Sequence, residues 1–347
     1  MRYSDAGVDV NKEARVIDLL KSHFEKTYSK EVLGGIGGFS AVFKLGESVL
    51  VASTDGVGSK VLVAQEMGKY RGIGYDLIAV NVNDVICAGA KPIFFLDYLA
   101  FRRPNENIAE ELAKGMVDAA KECGLSIIGG ELATLPEIIS GIGNKAFDLA
   151  GTCIGICSID RLIKGNIEDG DKLVGISSNG IHCNGLTLAR RVFFERMRLT
   201  PYDRIPGTNL VIGEELLRRT YMYSEEVLRL RDMGILRGAA HISGGGFLNI
   251  KRINNRFSYI IEYLPEPPQI FQAIEKFGQV PREEMFRTFN MGLGMILVVK
   301  RGEEDNAIEE ISRIGKKAYV IGEVRENMKN KVAITRKATG LNKDIVL

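Results

Sequence analysis

The sequence predicts a two-domain protein of mixed α and β structure. Apolar runs of strand length alternate with segments of helical period along most of the chain. A polar, turn-rich stretch, "DRLIKGNIEDGD" from Asp160 to Asp171, interrupts this series near the middle. The length, 347 residues, is more than one core usually organises. The expected domains are residues 1–162 and 163–347.

The elements follow in order. The first dozen residues read as extended. "EARVIDLLKSHF" then places Val16, Leu19, Leu20 and Phe24 at helical spacing, and "LGGIGGF" from Leu33 is a glycine-rich link. An apolar strand around Val49–Ser53 runs into a loop, "STDGVGSK". "YDLIAVNVNDVICAGA" reads as a helix with Leu77, Val80 and Cys87 on one side, and "PIFFLDYLA" as a strand opened by Pro92. A helix is expected from Asn105 to Cys123, then a short strand "LSIIGGE" ending in a glycine turn, then a strand "DLAGTCIGIC". In the second half "KLVGISS", "SYIIEY", "MGLGMILVV", "KAYVIGEV" and "KVAIT" read as strands. "GLTLARRVFFERM", "YSEEVLRLRDMG" and "NAIEEISRIG" read as helices. This alternation would favour a parallel sheet, although sequence alone does not settle strand direction. No G-x-G-x-x-G occurs, so a Rossmann dinucleotide site has no support.

Composition narrows the function class. A net charge of +2 is too near neutral for a nucleic-acid surface, and short basic clusters such as "KRINNR" read as solvated faces. No apolar run is long enough to cross a membrane, and the N-terminal residues are polar. Cys87, Cys123, Cys153, Cys157 and Cys183 form no C-x-x-C pair and no zinc spacing, which suggests reduced, buried thiols in a cytoplasmic protein.

The chemistry-bearing residues cluster in glycine-flanked turns. In "TDGVGSK", Thr54, Asp55, Gly56, Val57, Gly58, Ser59 and Lys60 resemble a phosphate loop but lack the P-loop order and carry an acid. Asp84 lies on the predicted helix with Asn81 one turn before it, and Glu131 follows Gly129 and Gly130. Carboxylates do not bind phosphate, but they bind Mg²⁺, which bridges phosphate oxygens. Glycine lets the backbone approach, and Lys60 could add positive charge. Each acid taken singly is also an ordinary turn residue. "SSNGIHCNG" offers Ser177, Ser178, His182 and Asn184 beside a helix N-terminus, suited to an anion or polar substrate. "AHISGGGF" places His241 before Gly244, Gly245 and Gly246. Either histidine could move protons, although a lone histidine is more often structural. Arg287 in "MFRTFN" could grip a phosphate or hold a neighbouring turn.

"YSDAGVDV", "GGIGGF", "TDGVGSK", "DLIAVNVNDVICAGAKPIFFLDYLA", "IIGGELATLP", "DLAGTCIGI", "SSNGIHCNG", "AHISGGGF" and "MFRTFNMGLGM" occur in one order over nearly the whole chain. This ordered set closely resembles the phosphoribosylformylglycinamidine cyclo-ligase (aminoimidazole ribonucleotide synthetase) family of purine biosynthesis. The resemblance implies conversion of formylglycinamidine ribonucleotide and ATP to aminoimidazole ribonucleotide, ADP and phosphate. It implies an α+β C-terminal domain and a homodimer whose N-terminal domains share a β-barrel. It places Asp55, Asp84 and Glu131 by Mg²⁺ and the ATP phosphates, with Lys60 neutralising charge. His182, or else His241, would then transfer the proton or hold the substrate. Nucleic acid and membrane are not expected partners. Leu132 and Thr134 depart from the family's usual threonine and glutamate, Ser59 from a threonine, and Phe101 and Arg102 from Thr-Gly.

Alternatives remain within the superfamily. Selenophosphate synthetase needs a reactive residue near its N-terminus, whereas the first cysteine here is Cys87; the hydrogenase maturation dehydratase needs a C-terminal cysteine, whereas the sequence ends "NKDIVL". Thiamine-monophosphate kinase lacks "SSNGIHCNG" and "MFRTFN". A catalytically silent nucleotide-binding protein is the alternative of a different class.

Overall fold

A computed structural model describes residues 7, 10–326 and 331–347. The first sheet has six strands, β1 (Val32–Gly34), β2 (Ala41–Leu45), β3 (Ser48–Gly56), β4 (Lys91–Phe101), β5 (Ser126–Thr134) and β6 (Phe147–Ser158), in the order β1-β2-β3-β6-β4-β5. The second has seven: β7 (Lys172–Ser177), β8 (Leu236–His241), β9 (Phe257–Ile261), β10 (Leu293–Val299), β11 (Ala318–Glu326), β12 (Val332–Ile334) and β13 (Ile345–Val346). Its order is β13-β12-β9-β11-β7-β10-β8. Only the β4–β5 and β9–β12 neighbours run parallel among the described strands. Strand direction, which the sequence left open, is therefore mostly antiparallel. Alternation along the chain does not fix strand direction, because a helix can return the chain to a non-adjacent position and the next strand then pairs antiparallel. Mixed α and β content in two sheets agrees with the expected class.

Helices α1 (Val10–Phe24), α2 (Lys60–Met67), α3 (Arg71–Cys87) and α4 (Glu106–Cys123) accompany the first sheet, and α5 (Leu186–Arg190) follows β7. The extended reading of the first dozen residues falls largely outside the described residues, and the chain is already helical from Val10. The hairpin strand β2, helix α2 and strand β8 have no counterpart in the sequence reading.

The central element is α3. Its residues from Ile73 to Cys87 are buried on all sides except Asp84, which is only partly covered. Val49 and Val51 of the first sheet and Val174, Ile176, Met295 and Leu297 of the second join Leu77, Ile78 and Val80 in one core cluster. The helix is thus sandwiched between two sheets, so its apolar residues are not confined to one stripe. Each fully buried aliphatic side chain contributes roughly 1.5–3 kcal/mol of transfer free energy. The crossing of α3 and α4 is close. A Cβ on Gly74 would stand 1.9 Å from the Leu112 carbonyl oxygen, and one on Gly115 would stand 1.8 Å from that of Arg71. Alanine at either position would force the helices apart and open the core beside them.

Candidate active site

The site forms where α3 passes between the ends of β3 and β8. Asp55 belongs to β3, which runs to Gly56, so the acid sits on a strand and not in the loop expected for it. Strand alternation turns Val49, Val51, Ser53 and Asp55 toward α3. Asp84 faces them from α3 and accepts a hydrogen bond from the Ser53 hydroxyl at 3.3 Å. His241, the last residue of β8, places Nδ1 2.9 Å from the other Asp84 oxygen. Asn81 donates to the Asp55 carbonyl at 3.2 Å and to the Leu77 carbonyl at 2.9 Å, and its own amide oxygen is buried without a partner. Burial and then the negative charge of Asp84 push the Asp55 carboxyl up to about 6. Two carboxylates of one sign in a shielded place repel one another.

These acids line a cavity of about 490 Å³ roofed by the glycine-rich segment 34–38 and Phe39, with Arg252 at its edge. The Arg252 guanidinium sits over the Phe39 ring, 5.2 Å from its centre. Arg252 was hidden in "KRINNR", a cluster read as a solvated face; the short helical segment Gly246–Arg252 carries it to the cavity instead. Nothing in local composition signals this.

Several expected residues need correction. Lys60 is fully buried, with Nζ 2.6 Å from Asp76 Oδ2 and donating to the Arg218 carbonyl at 2.6 Å. Its charge is consumed inside the protein, because a buried ammonium must be paired. It is not among the residues lining the Asp55–Asp84 cavity. Glu131 is also separated from Asp55 and Asp84. The ladder aligns Asp55, Gly151, Asp97 and Gly130 across four strands, while Glu131 pairs with Tyr98 in the next row. Alternation therefore puts Asp97 on the Asp55 face and Glu131 on the opposite one. Three strand spacings, about 14 Å, add to that separation. Among the described residues, no group of three or more His, Cys, Asp or Glu could hold a metal ion.

Gly129 and Gly130 lie inside β5, which continues to Thr134, so the expected glycine turn is absent. Gly130 leaves room for Asp97, since a Cβ there would stand 2.2 Å from Asp97 Oδ1. Asp97 was passed over within "PIFFLDYLA". It is partly covered, and burial raises its pKa above the usual carboxylate value. Its place on the Asp55 face, two strands away, becomes visible only once β6 is known to separate β3 from β4. Thr54 points to the far face, where its hydroxyl meets that of Thr152 at 2.9 Å.

The second-half turns meet the end of "TDGVGSK" and one another. The Ser59 and Thr187 hydroxyls lie 2.9 Å apart, and a Cβ on Gly244 would meet Asn184 Oδ1 at 3.2 Å. The tip of this loop turns inward. Ser178 is buried and donates its hydroxyl to the Gly180 carbonyl or to Asn290 Oδ1. His182 is 2 % exposed, and Nε2 accepts the Tyr221 backbone N–H at 3.5 Å. Its Nδ1 is buried without a partner, and its φ of 63° is unusual for a residue other than glycine. Burial, with help from His241 and Lys60, holds this imidazole well below its usual range, so it is neutral. His241, held by Asp84, is thus the histidine that reaches the acid cluster, which reverses the expected order of the two. Arg287 pairs with Glu283 one turn away at 3.1 Å on a helix surface, the turn-holding option left open by sequence.

Comparison with known proteins agrees with this architecture. Residues 37–157 match the family model for the AIR synthase related protein, N-terminal domain, and residues 168–335 that for the C-terminal domain. The chain is 43% identical over 327 residues to a phosphoribosylformylglycinamidine cyclo-ligase of Methanothermobacter thermautotrophicus, covering 93% of this chain and 94% of the relative. It is 44% identical over 331 residues to one from Methanocaldococcus jannaschii, covering 94% and 93%. The solved structure of AaThiL complexed with AMPPCP and TMP shares the fold at a TM-score of 0.66 and 18% identity, covering 98% of each chain. T. maritima PurL complexed with ADP does so at 0.59 and 17%, covering 94% of this chain and 48% of its own. The chain belongs to the phosphoribosylformylglycinamidine cyclo-ligase family.

Proposed function

We propose that this chain uses ATP to cyclise formylglycinamidine ribonucleotide to aminoimidazole ribonucleotide, releasing ADP and phosphate, and that the Asp55–Asp84 cavity holds the nucleotide phosphates. One observation carries the assignment of the site: two carboxylates meet in a partly shielded cavity under a glycine-rich segment. Burial, and then repulsion by Asp84, raises Asp55, which suits a place built for positive charge. Mg²⁺ suits this pair, because it takes one or two protein carboxylates and completes its shell with phosphate oxygens and water. Bound with ATP, it would offset the charge on the transferring phosphoryl group.

The chain's own residues then have distinct tasks. Asp55 and Asp84 would hold the cation, and Asn81 ties the backbone of Asp55 to α3 so that the two acids keep their spacing. His241 is oriented by Asp84 and is the candidate to take the proton from the attacking amidine nitrogen. Lys60 and Asp76 act behind the site. Asp76 accepts the Thr220 N–H at 2.6 Å and Lys60 donates to the Arg218 carbonyl, which fastens segment 218–220 to α2 and α3. Incubating the purified chain with ATP and formylglycinamidine ribonucleotide should yield the aminoimidazole product. Nucleotide binding without product would instead favour the silent binding protein.

A homodimer is part of the same proposal. The face of the first sheet away from α3 is apolar and open, with Phe43 40%, Leu45 57%, Leu96 39% and Tyr98 41% exposed. A second copy covering it fits the barrel that the family resemblance implies. No described helix is long and apolar enough to cross a membrane. A cytoplasmic location remains the proposed setting.

A further inference from the structure

We propose that Arg252 is the protein cation that grips the phosphates of the bound nucleotide, and that through it the second sheet's unit closes on a ligand held by the first. The inference rests on the ATP reading above. The cavity containing Asp55 and Asp84 has no other Lys or Arg in its lining among the described residues. Lys60, the cation that sequence puts beside the acids, is spent on Asp76. A triphosphate brought to two carboxylates carries more negative charge than one divalent ion removes, so a further donor is required.

Arg252 meets the need in three ways. Its guanidinium sits over the Phe39 ring, a contact that cannot occupy all five of its N–H donors. Among the described residues it makes no ion pair with any carboxylate, so its charge is uncommitted. It lines the same cavity as Asp55 and Asp84, so a ligand held by the acids lies within its reach. A planar fork of donors is also the geometry that phosphate oxygens accept best. Phe39 follows the glycine-rich segment, so the same contact ties the cavity's roof to the cation.

The test is titration of the full-length chain with AMPPCP in the presence of Mg²⁺, comparing wild type with Arg252→Ala, Arg252→Gln and Arg252→Lys. Losing a charge-assisted contact should raise the Kd about 10- to 100-fold in the Ala and Gln variants, with partial recovery in Lys. Arg252 is exposed, so the urea midpoint should not move. Wild-type and Arg252→Ala chains binding AMPPCP equally would overturn this proposal alone. A wild-type chain that fails to bind AMPPCP would overturn the ATP reading, and this proposal with it.

Discussion

The Lys60 ammonium lies 2.6 Å from Asp76 Oδ2 with both side chains sealed from solvent. This buried pair, not a phosphate, answers the charge of the lysine in "TDGVGSK". Removing one partner strands the other. Lys60→Met should therefore destabilise the chain by about 3–5 kcal/mol, read from urea unfolding. Lys60→Met combined with Asp76→Leu should recover much of that loss. A single Lys60→Met that keeps full stability but loses AMPPCP binding would return the lysine to the phosphate role.

Asp55 gives a pH prediction. Its folded pKa, about 6, lies above its ordinary value of 3.8, so the folded chain holds that proton more tightly. The favourable contribution is complete below about pH 4 and is lost as pH rises through about 6. At pH 8 the charged Asp55 then disfavours the folded metal-free chain, by an amount that its solvent exposure reduces. Asp55→Asn should raise the melting temperature at pH 8, change it little at pH 4, and abolish turnover. A variant less stable than wild type at pH 8 would contradict this.

The Asp84–His241 contact predicts coupling in the rate. His241→Gln should lower kcat about 10²–10⁴-fold with a smaller effect on KM for ATP. The double variant Asp84→Asn with His241→Gln should lose much less than the product of the two single losses, because the residues act as one unit. Strictly multiplicative losses would separate their roles.

The thiols should be silent. Burial pushes Cys153 and Cys183 up to about 12 and Cys123 up to about 11, and it also raises Cys87 and Cys157. At pH 7.5 the first two are thiolate in roughly one part in 3 × 10⁴. Ellman's reagent should find little fast-reacting thiol in the native chain and five after denaturation. A rapidly labelled cysteine whose blocking stops turnover would reopen covalent catalysis.

The open sheet face predicts association. Wild type should sediment as a dimer at micromolar concentration. Tyr98→Glu should shift it toward monomer, since a charge would enter an apolar contact. A stable, active wild-type monomer would contradict the dimer.

Much of this was legible from residues. The apolar runs at Val49–Ser53 and Pro92–Ala100 and the helical period after Asn105 are local signals, and each lies within an observed element. The pairing of Asp55 with Asp84 also followed from motifs that resemble one family. What was hidden depends on long-range topology. The sheet order places Glu131 on the far face and Asp97 on the near one, and no local pattern encodes strand order. Lys60 misled because a lysine beside glycines suggests phosphate, while its partner Asp76 lies on another helix. Arg252 sits in a polar cluster whose sequence resembles any solvated turn.

The most direct measurement follows the formyl oxygen. Ring closure must expel that oxygen, a poor leaving group, and ATP would activate it by phosphorylation. Substrate labelled with ¹⁸O in the formyl group, turned over by the purified chain with ATP and Mg²⁺, should deliver the label to inorganic phosphate, one phosphate per aminoimidazole product. Label found in water, or ATP consumed with no product formed, would contradict the cyclo-ligase assignment.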